Sequence, residues 1–183
     1  MPPDEKDDGK FTSSEQAAQN FAAMKEYMAE LQWQNTYDGR LSRVCPSGEG
    51  VYRVRSEYSR HHGDRRWDFQ CRKVVQEGNP TCTTSSYLNQ FQEYISFMCG
   101  KNQYIGGVES YHENSKEDRQ WKFTCCSAPT QATRDYRLTD YVNNPNLNME
   151  YQANIGEVIT GVFSYYASGK KVSQLIVFLH GGR

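Results

Sequence analysis

The 183-residue chain has no long apolar run. Nothing in it approaches the ~20 apolar residues that a membrane-spanning helix needs. Its first ten residues, MPPDEKDDGK, are polar and acidic, the opposite of the basic stretch and apolar run of a secretory leader. Formal net charge is -1, so bulk charge does not point to nucleic acid. No C-x-x-C pair, Arg-Gly-Asp or Asn-x-Ser/Thr acceptor is present; Asn79 is spoiled by Pro80. No nucleophile–base–orienter pattern, glycine-rich phosphate loop or paired-carboxylate motif stands out. The expectation is a protein that is not an enzyme and needs no cofactor.

What the chain does have is a long internal period. Cys45 to Cys71 aligns without a gap on Cys99 to Cys125, an offset of 54 residues. The matched positions include Val54/Val108, Ser56/Ser110, Asp64/Asp118, Arg65/Arg119, Trp67/Trp121 and Phe69/Phe123. Upstream, Asn35, Asn89 and Asn143 keep the same spacing. A further 54 residues on, Val162 and Ser164 fall into place and Gln174 matches Gln120. On that offset Val172, Ser173 and Leu175 replace the third Asp, Arg and Trp, and Ala153 and Leu179 replace the cysteines. A fixed long period indicates repeated structural units, expected at 33–74, 87–128 and 141–179. The Gly, Pro, Ser and Thr of the spacers 75–86 and 129–140 read as loops.

The six cysteines follow the period. Separations of 26 residues within a unit are unlike zinc-ligand spacing. The repeat pairs Cys45 with Cys71 and Cys99 with Cys125, which leaves Cys82 for Cys126. Such bridges belong to an oxidising compartment. A mature form with an added or retained Met1 reconciles them with the missing leader.

Along the chain, residues 1–12 read as a disordered acidic tail. Residues 13–32 read as a helix: Ser13 with Gln16 is a capping-box pattern, and Phe21, Met24, Met28 and Leu31 form one apolar stripe. Residues 33–183 read as a single β domain. Trp67, Phe69 and Cys71 alternate with Asp68, Gln70 and Arg72, and the same alternation recurs at Trp121, Phe123 and Cys125. That is period two with one face buried. The fold class expected is all-β: a pseudo-threefold repeat of short antiparallel strands with an N-terminal helix. A β-prism and a β-trefoil both satisfy it.

Asp64-Arg65-Arg66-Trp67 and Asp118-Arg119-Gln120-Trp121 open the last strand of their units. Asp before a strand caps a turn, Arg pairs with a carboxylate or lies on a ring, and Trp supplies buried area. The motif residues Asp64, Arg65, Trp67, Asp118, Arg119 and Trp121 are therefore expected to be structural. These two segments, continued through Phe and Cys at 64–71 and 118–125, resemble the dermatopontin family, as do Cys125-Cys126 and Cys45-Pro46. The resemblance spans about residues 33–180. It implies a secreted, extracellular, non-enzymatic protein. Vertebrate members are similar to matrix adaptors that bind proteoglycans, growth factors and cell surfaces. Invertebrate relatives include lectin-like agglutinins, cell-aggregation factors, shell-matrix proteins and a cytolytic toxin. The third unit departs from the motif, and the N-terminus lacks the family's tyrosine-rich acidic segment.

The binding signal in the residues themselves is the basic stretch of the first unit. Arg53, Arg55, Arg60, His61, His62, Arg65 and Arg66 are the candidate ligand-binding residues. Arginine forks match carboxylate and sulfate groups, and the histidines add charge below about pH 6.5. The expected partner is an acidic polysaccharide or cell-surface glycan, with matrix proteins as further partners. Nucleic acid is not expected, and self-association into a homo-oligomer is compatible with this reading. Adjacent His61 and His62 with Asp64 lack further ligands, so no metal is expected there. The function expected is carbohydrate or glycosaminoglycan recognition, or matrix cell adhesion. The competing expectation is a membrane-acting cytolysin of the same fold, in which the helix engages the bilayer.

Overall fold

The computed structural model describes residues 13–30, 33–75, 78–128, 135–167 and 170–179. The expected tail at 1–12 lies outside them. The chain divides into a unit ending at Trp33 and a unit from Gln34 onward. The first contains α1 (Ser13–Glu30), in which Gln16 Nε2 donates to Asn20 Oδ1 (3.3 Å) one turn on. Phe21 and Met24 are exposed, and the Lys25 ammonium lies 5.0 Å from the Phe21 ring centre. No described helix is long and apolar enough to cross a membrane.

The second unit is built on three long antiparallel hairpins. They are β2 (Glu49–Ser59) with β3 (Asp64–Lys73), β6 (Gln103–Glu113) with β7 (Asp118–Ser127), and β10 (Glu157–Ala167) with β11 (Lys170–Leu179). Each first strand carries a register shift at its third or fourth residue, at Val51/Arg53, Ile105/Gly107 and Ile159/Gly161. Four-residue strands β1 (Leu41–Val44), β5 (Ile95–Met98) and β9 (Met149–Gln152) precede the hairpins, but none joins the hairpin that follows it. β1 pairs with β6, β5 with β10, and β9 returns to β2. This cyclic exchange ties each hairpin to a short strand that leads into a different hairpin.

Period-two alternation builds the core. Val51, Val54 and Phe69 face inward in the first hairpin, as do Ile105, Val108 and Phe123 in the second. Leu41, Ile95 and Met149 enter from the short strands. Removing these apolar faces from water is the main favourable term, at roughly 25 cal/mol per Å2. Disulfides Cys45–Cys71, Cys99–Cys125 and Cys82–Cys126 form as expected. Bridges closing loops of this length contribute on the order of 3 kcal/mol each.

Two sequence expectations need correction. The spacers are not only loop: they hold β4 (Cys82–Thr84) and β8 (Tyr136–Leu138), which extend the sheets beside β7 and β11. Three exposed residues carry no alternation to read, and the Cys82↔Cys126 register aligns the first of them. Second, the 54-residue offset fails in the last strand. Ser56 faces Trp67 and Ser110 faces Trp121, but Ser164 faces Ser173; Val162 faces Leu175 where Val108 faces Phe123. The third tip is shorter, since β10 ends at Ala167 and β11 starts at Lys170, so the offset there is 52. Lys170 and Lys171, not Val172 and Ser173, hold the Asp and Arg positions of the third unit. Ser173 and Val177, not Leu175 and Leu179, hold those of Trp and the second Cys, and the match of Gln174 to Gln120 is lost.

Candidate ligand-binding site

Both Asp-Arg-x-Trp segments are fixed by the same local devices. Asn35 Oδ1 accepts from Trp67 N (2.7 Å) and its Nδ2 donates to Arg65 O (3.1 Å). Asn89 does the same for Trp121 N (3.1 Å) and Arg119 O (2.9 Å). Asp64 Oδ2 accepts from the Asp38 amide (2.8 Å), and Asp118 Oδ2 from the Gln92 amide (2.7 Å). Asp38 and Gln92 are left-handed at φ 61 and 64°, which turns their amides toward the carboxylates. Each aspartate thus accepts from a turn 26 residues upstream and not from its own.

The segments converge on one polar cavity of about 310 Å3. Its walls come from Arg60, His61 and Gly63 at the first hairpin tip, Glu117 at the second, and Pro145 and Asn146 from the turn before β9. Asp64, Arg65, Trp67, Asp118, Arg119, Trp121 and Tyr58 complete it. The two tips pack closely: a Cβ on Gly63, itself at φ 61°, would meet the Glu117 carboxylate. The tryptophans meet edge to face, with ring centres 5.0 Å apart.

The electrostatics differ between the two arginines. Arg119 is buried; its Nε donates to Asp64 Oδ1 (2.8 Å), and its Nη2 to Asp64 Oδ2 and Gly39 O (3.0 Å). Arg65 Nη2 donates to Leu147 O (2.9 Å) and Nη1 to Ser56 Oγ (3.2 Å), and the guanidinium lies 5.4 Å from the Tyr58 ring centre. Burial pulls the Arg65 pKa below its ordinary value, against the opposing influence of Tyr58, Asp64 and Tyr37. Two donors of the cavity residues, Arg119 Nη1 and Trp67 Nε1, are buried without a hydrogen-bond partner. Buried donors of this kind cost free energy until an acceptor reaches them.

The seven candidate ligand residues are divided rather than gathered. Arg60, His61 and Arg65 line the cavity. Arg53, Arg55 and Arg66 point to the other face and meet acids: Arg53 Nε–Glu150 Oε1 (3.0 Å), Arg55 Nε–Asp68 Oδ2 (2.8 Å) and Arg66 Nε–Glu57 Oε2 (2.8 Å). Strand register explains two of these, since Arg55 lies opposite Asp68 and Glu57 opposite Arg66. His62 stacks on Tyr37 and places Nδ1 3.2 Å from Asp38 Oδ2. Sequence reasoning missed Tyr58, Glu117, Asn146, and the cavity-facing role of Arg119 and both tryptophans. One signal was available: positions 38, 92 and 146, and 63 and 117, are related by the period and sit at turns.

The residues that build this cavity lie within a span matched by a family model. The model described as Dermatopontin matches residues 35–174. The chain belongs to the dermatopontin family. The hemagglutinin/amebocyte aggregation factor of Limulus polyphemus is 36% identical over 135 residues, covering 72% of this chain and 77% of that protein. Dermatopontin of Biomphalaria glabrata is 35% identical over 122 residues, covering 67% of this chain and 81% of the relative. Millepora cytotoxin-1 of Millepora dichotoma is 32% identical over 91 residues, half of this chain and 40% of that protein. No solved structure matches the chain. Both motif copies and all six cysteines thus lie inside the dermatopontin span.

Proposed function

We propose that this dermatopontin-family chain is a secreted, non-enzymatic, lectin-like protein that binds acidic glycans in the cavity between its hairpin tips. The observation that carries the reading is the lining of that cavity, where Arg60, His61 and the partly desolvated Arg65 stand beside Trp67 and Trp121. Such donors suit carboxylate or sulfate oxygens, and aromatic walls suit the apolar faces of sugar rings. The Limulus relative's name, hemagglutinin and aggregation factor, agrees with glycan-mediated adhesion. Three disulfides agree with an extracellular setting. Cell-surface and matrix partners follow from the same reading.

The domain organisation belongs to this proposal. Residues 33–183 form one binding domain of three repeats, 33–74, 87–128 and 141–179, about a pseudo-threefold axis; the cyclic pairing of β1, β5 and β9 supports it. Residues 13–32 are a separate N-terminal segment, which contains α1. A glycan array, followed by elution from heparin across a salt gradient, tests the function. Selective retention of sulfated or uronate-bearing glycans is expected; silence on both at low salt refutes it.

The match to a cytotoxin favours one second reading, a membrane-acting cytolysin using α1 with its exposed Phe21 and Met24. Leakage from liposomes that disappears on deleting residues 1–32 would replace the glycan reading.

A further inference from the structure

The three seams between neighbouring hairpins are alike in backbone and unlike in chemistry. At the seam of the first and second hairpins, the turn supplies Asp38, β3 supplies Asp64 and β6 supplies His112. The positions corresponding to Asp38 are Gln92 and Asn146, and those corresponding to His112 are Tyr58 and Tyr166. Among the described residues, this seam alone gathers two carboxylates and an imidazole whose donor atoms all lie within 4.8 Å of one another.

The polar atoms there are poorly matched by protein alone. The His112 side chain is 1% exposed. Its Nδ1 lies 3.0 Å from Asn114 Oδ1, an oxygen that only accepts, so Nδ1 carries the proton. In the neutral ring Nε2 then presents a lone pair. It has no hydrogen-bond partner and lies 3.8 Å from Asp64 Oδ1. Asp38 Oδ1 is also buried without a hydrogen-bond partner, 3.5 Å from the ring's Nδ1. In that tautomer the Nε2 lone pair and Asp64 Oδ1 face each other, an arrangement that a cation between them relieves. Two ligands of a tetrahedral ion bound at 2.0–2.1 Å are themselves about 3.3 Å apart. A contraction of a few tenths of an ångström therefore suffices for Asp64 and His112.

We propose that Asp38, Asp64 and His112 form a zinc-type divalent cation site at the seam of the first two hairpins. A nitrogen with two carboxylates in a small ligand set suits Zn2+ over Ca2+, which takes six to eight oxygens. Asn114 holds the imidazole in the ligating tautomer, the usual outer-shell arrangement for a metal-bound histidine. Arg119 shares Asp64 without excluding the ion, because each carboxylate oxygen offers two lone pairs. Before metal binds, Asp38, Asp64 and Arg119 sum to one negative charge.

Calorimetric titration of the EDTA-treated, tag-free full chain with ZnCl2 tests this. One site per chain is expected, unaffected by excess CaCl2 or MgCl2. His112→Gln and Asp38→Asn should each weaken it by more than about tenfold, while His61→Ala leaves it unchanged. Asp38→Asn alters a partly exposed turn, so it serves if His112→Gln fails to fold. The absence of a one-to-one Zn2+ site, equal binding by Asp38→Asn, or loss in His61→Ala overturns the assignment. The last outcome identifies the surface histidines as the binder.

Discussion

Arg65 and Arg119 hold the same place in two hairpins, each one residue after an aspartate and two before a tryptophan. Arg119 ends on the carboxylate of the preceding hairpin, Asp64, and is buried. Following the same cyclic order, Arg65 would meet the third hairpin's residue at that position. There the register places Lys170, and Arg65 instead reaches a backbone carbonyl, a hydroxyl and a tyrosine ring. One motif thus supports two outcomes. Where the ring of Asp–Arg contacts is intact it locks neighbouring units together; where it is broken it leaves a partly desolvated cation on a cavity. A shared sequence motif is therefore not a shared role, because its partner comes from a different repeat.

The largest effect should come from breaking the lock. Arg119→Met strands a buried Asp64 and is expected to cost about 3–5 kcal/mol, measured by urea unfolding. Arg65→Met should cost about 1 kcal/mol or less, since its hydrogen-bond partners are neutral. Equal losses would erase the distinction. Next come the two asparagines that clamp the motif strands. Asn35→Ala and Asn89→Ala should each lose about 1–3 kcal/mol, and by similar amounts, because their hydrogen-bond sets match. A large inequality would show that the clamps, not the arginines, distinguish the hairpins.

Smaller still is the pair that closes the turn before the third hairpin. Hydrogen bonds from Arg137 hold the Glu157 pKa below its ordinary value against the opposing effect of burial. A carboxylate with a depressed folded pKa stabilises above its unfolded pKa, and that contribution fades as pH falls through the folded value. Glu157→Gln is expected to cost about 1 kcal/mol at pH 7, given that Arg137 is largely solvated. The gap to the parent should narrow as pH falls below the ordinary glutamate range and close beneath the depressed folded pKa, as thermal unfolding across pH will show. The smallest effect is expected at Tyr104, whose buried hydroxyl has no hydrogen-bond partner and whose pKa burial raises to about 12. Tyr104→Phe should be neutral or slightly stabilising.

Much of this arrangement was legible in the chain. Alternation at Trp67–Phe69–Cys71 and its copy gave the strands, and the period gave the disulfides, because both are local or strictly spaced signals. The third motif position was not legible. A tip two residues shorter shifts β11, and the coincidence of Gln174 with Gln120 concealed the shift. The site was half legible for a similar reason. Arg53, Arg55 and Arg66 look like a cationic surface in one dimension, but their acids arrive from β3, β9 and across the same hairpin. Arg119 looked structural in sequence; it binds Asp64 and also lines the cavity. Neither cross-strand matching nor cyclic exchange leaves a mark on a single segment.

The central claim is that the broken side of the motif ring, and not the paired outer face, recognises acidic sugar. The direct measurement is the affinity of the parent, Arg65→Met and Arg53→Ala for one sulfated oligosaccharide at fixed salt. Arg65→Met is expected to lose more than about tenfold while unfolding at nearly the parent's urea concentration, and Arg53→Ala to change little. Unchanged binding by Arg65→Met, with loss in Arg53→Ala, would contradict the account.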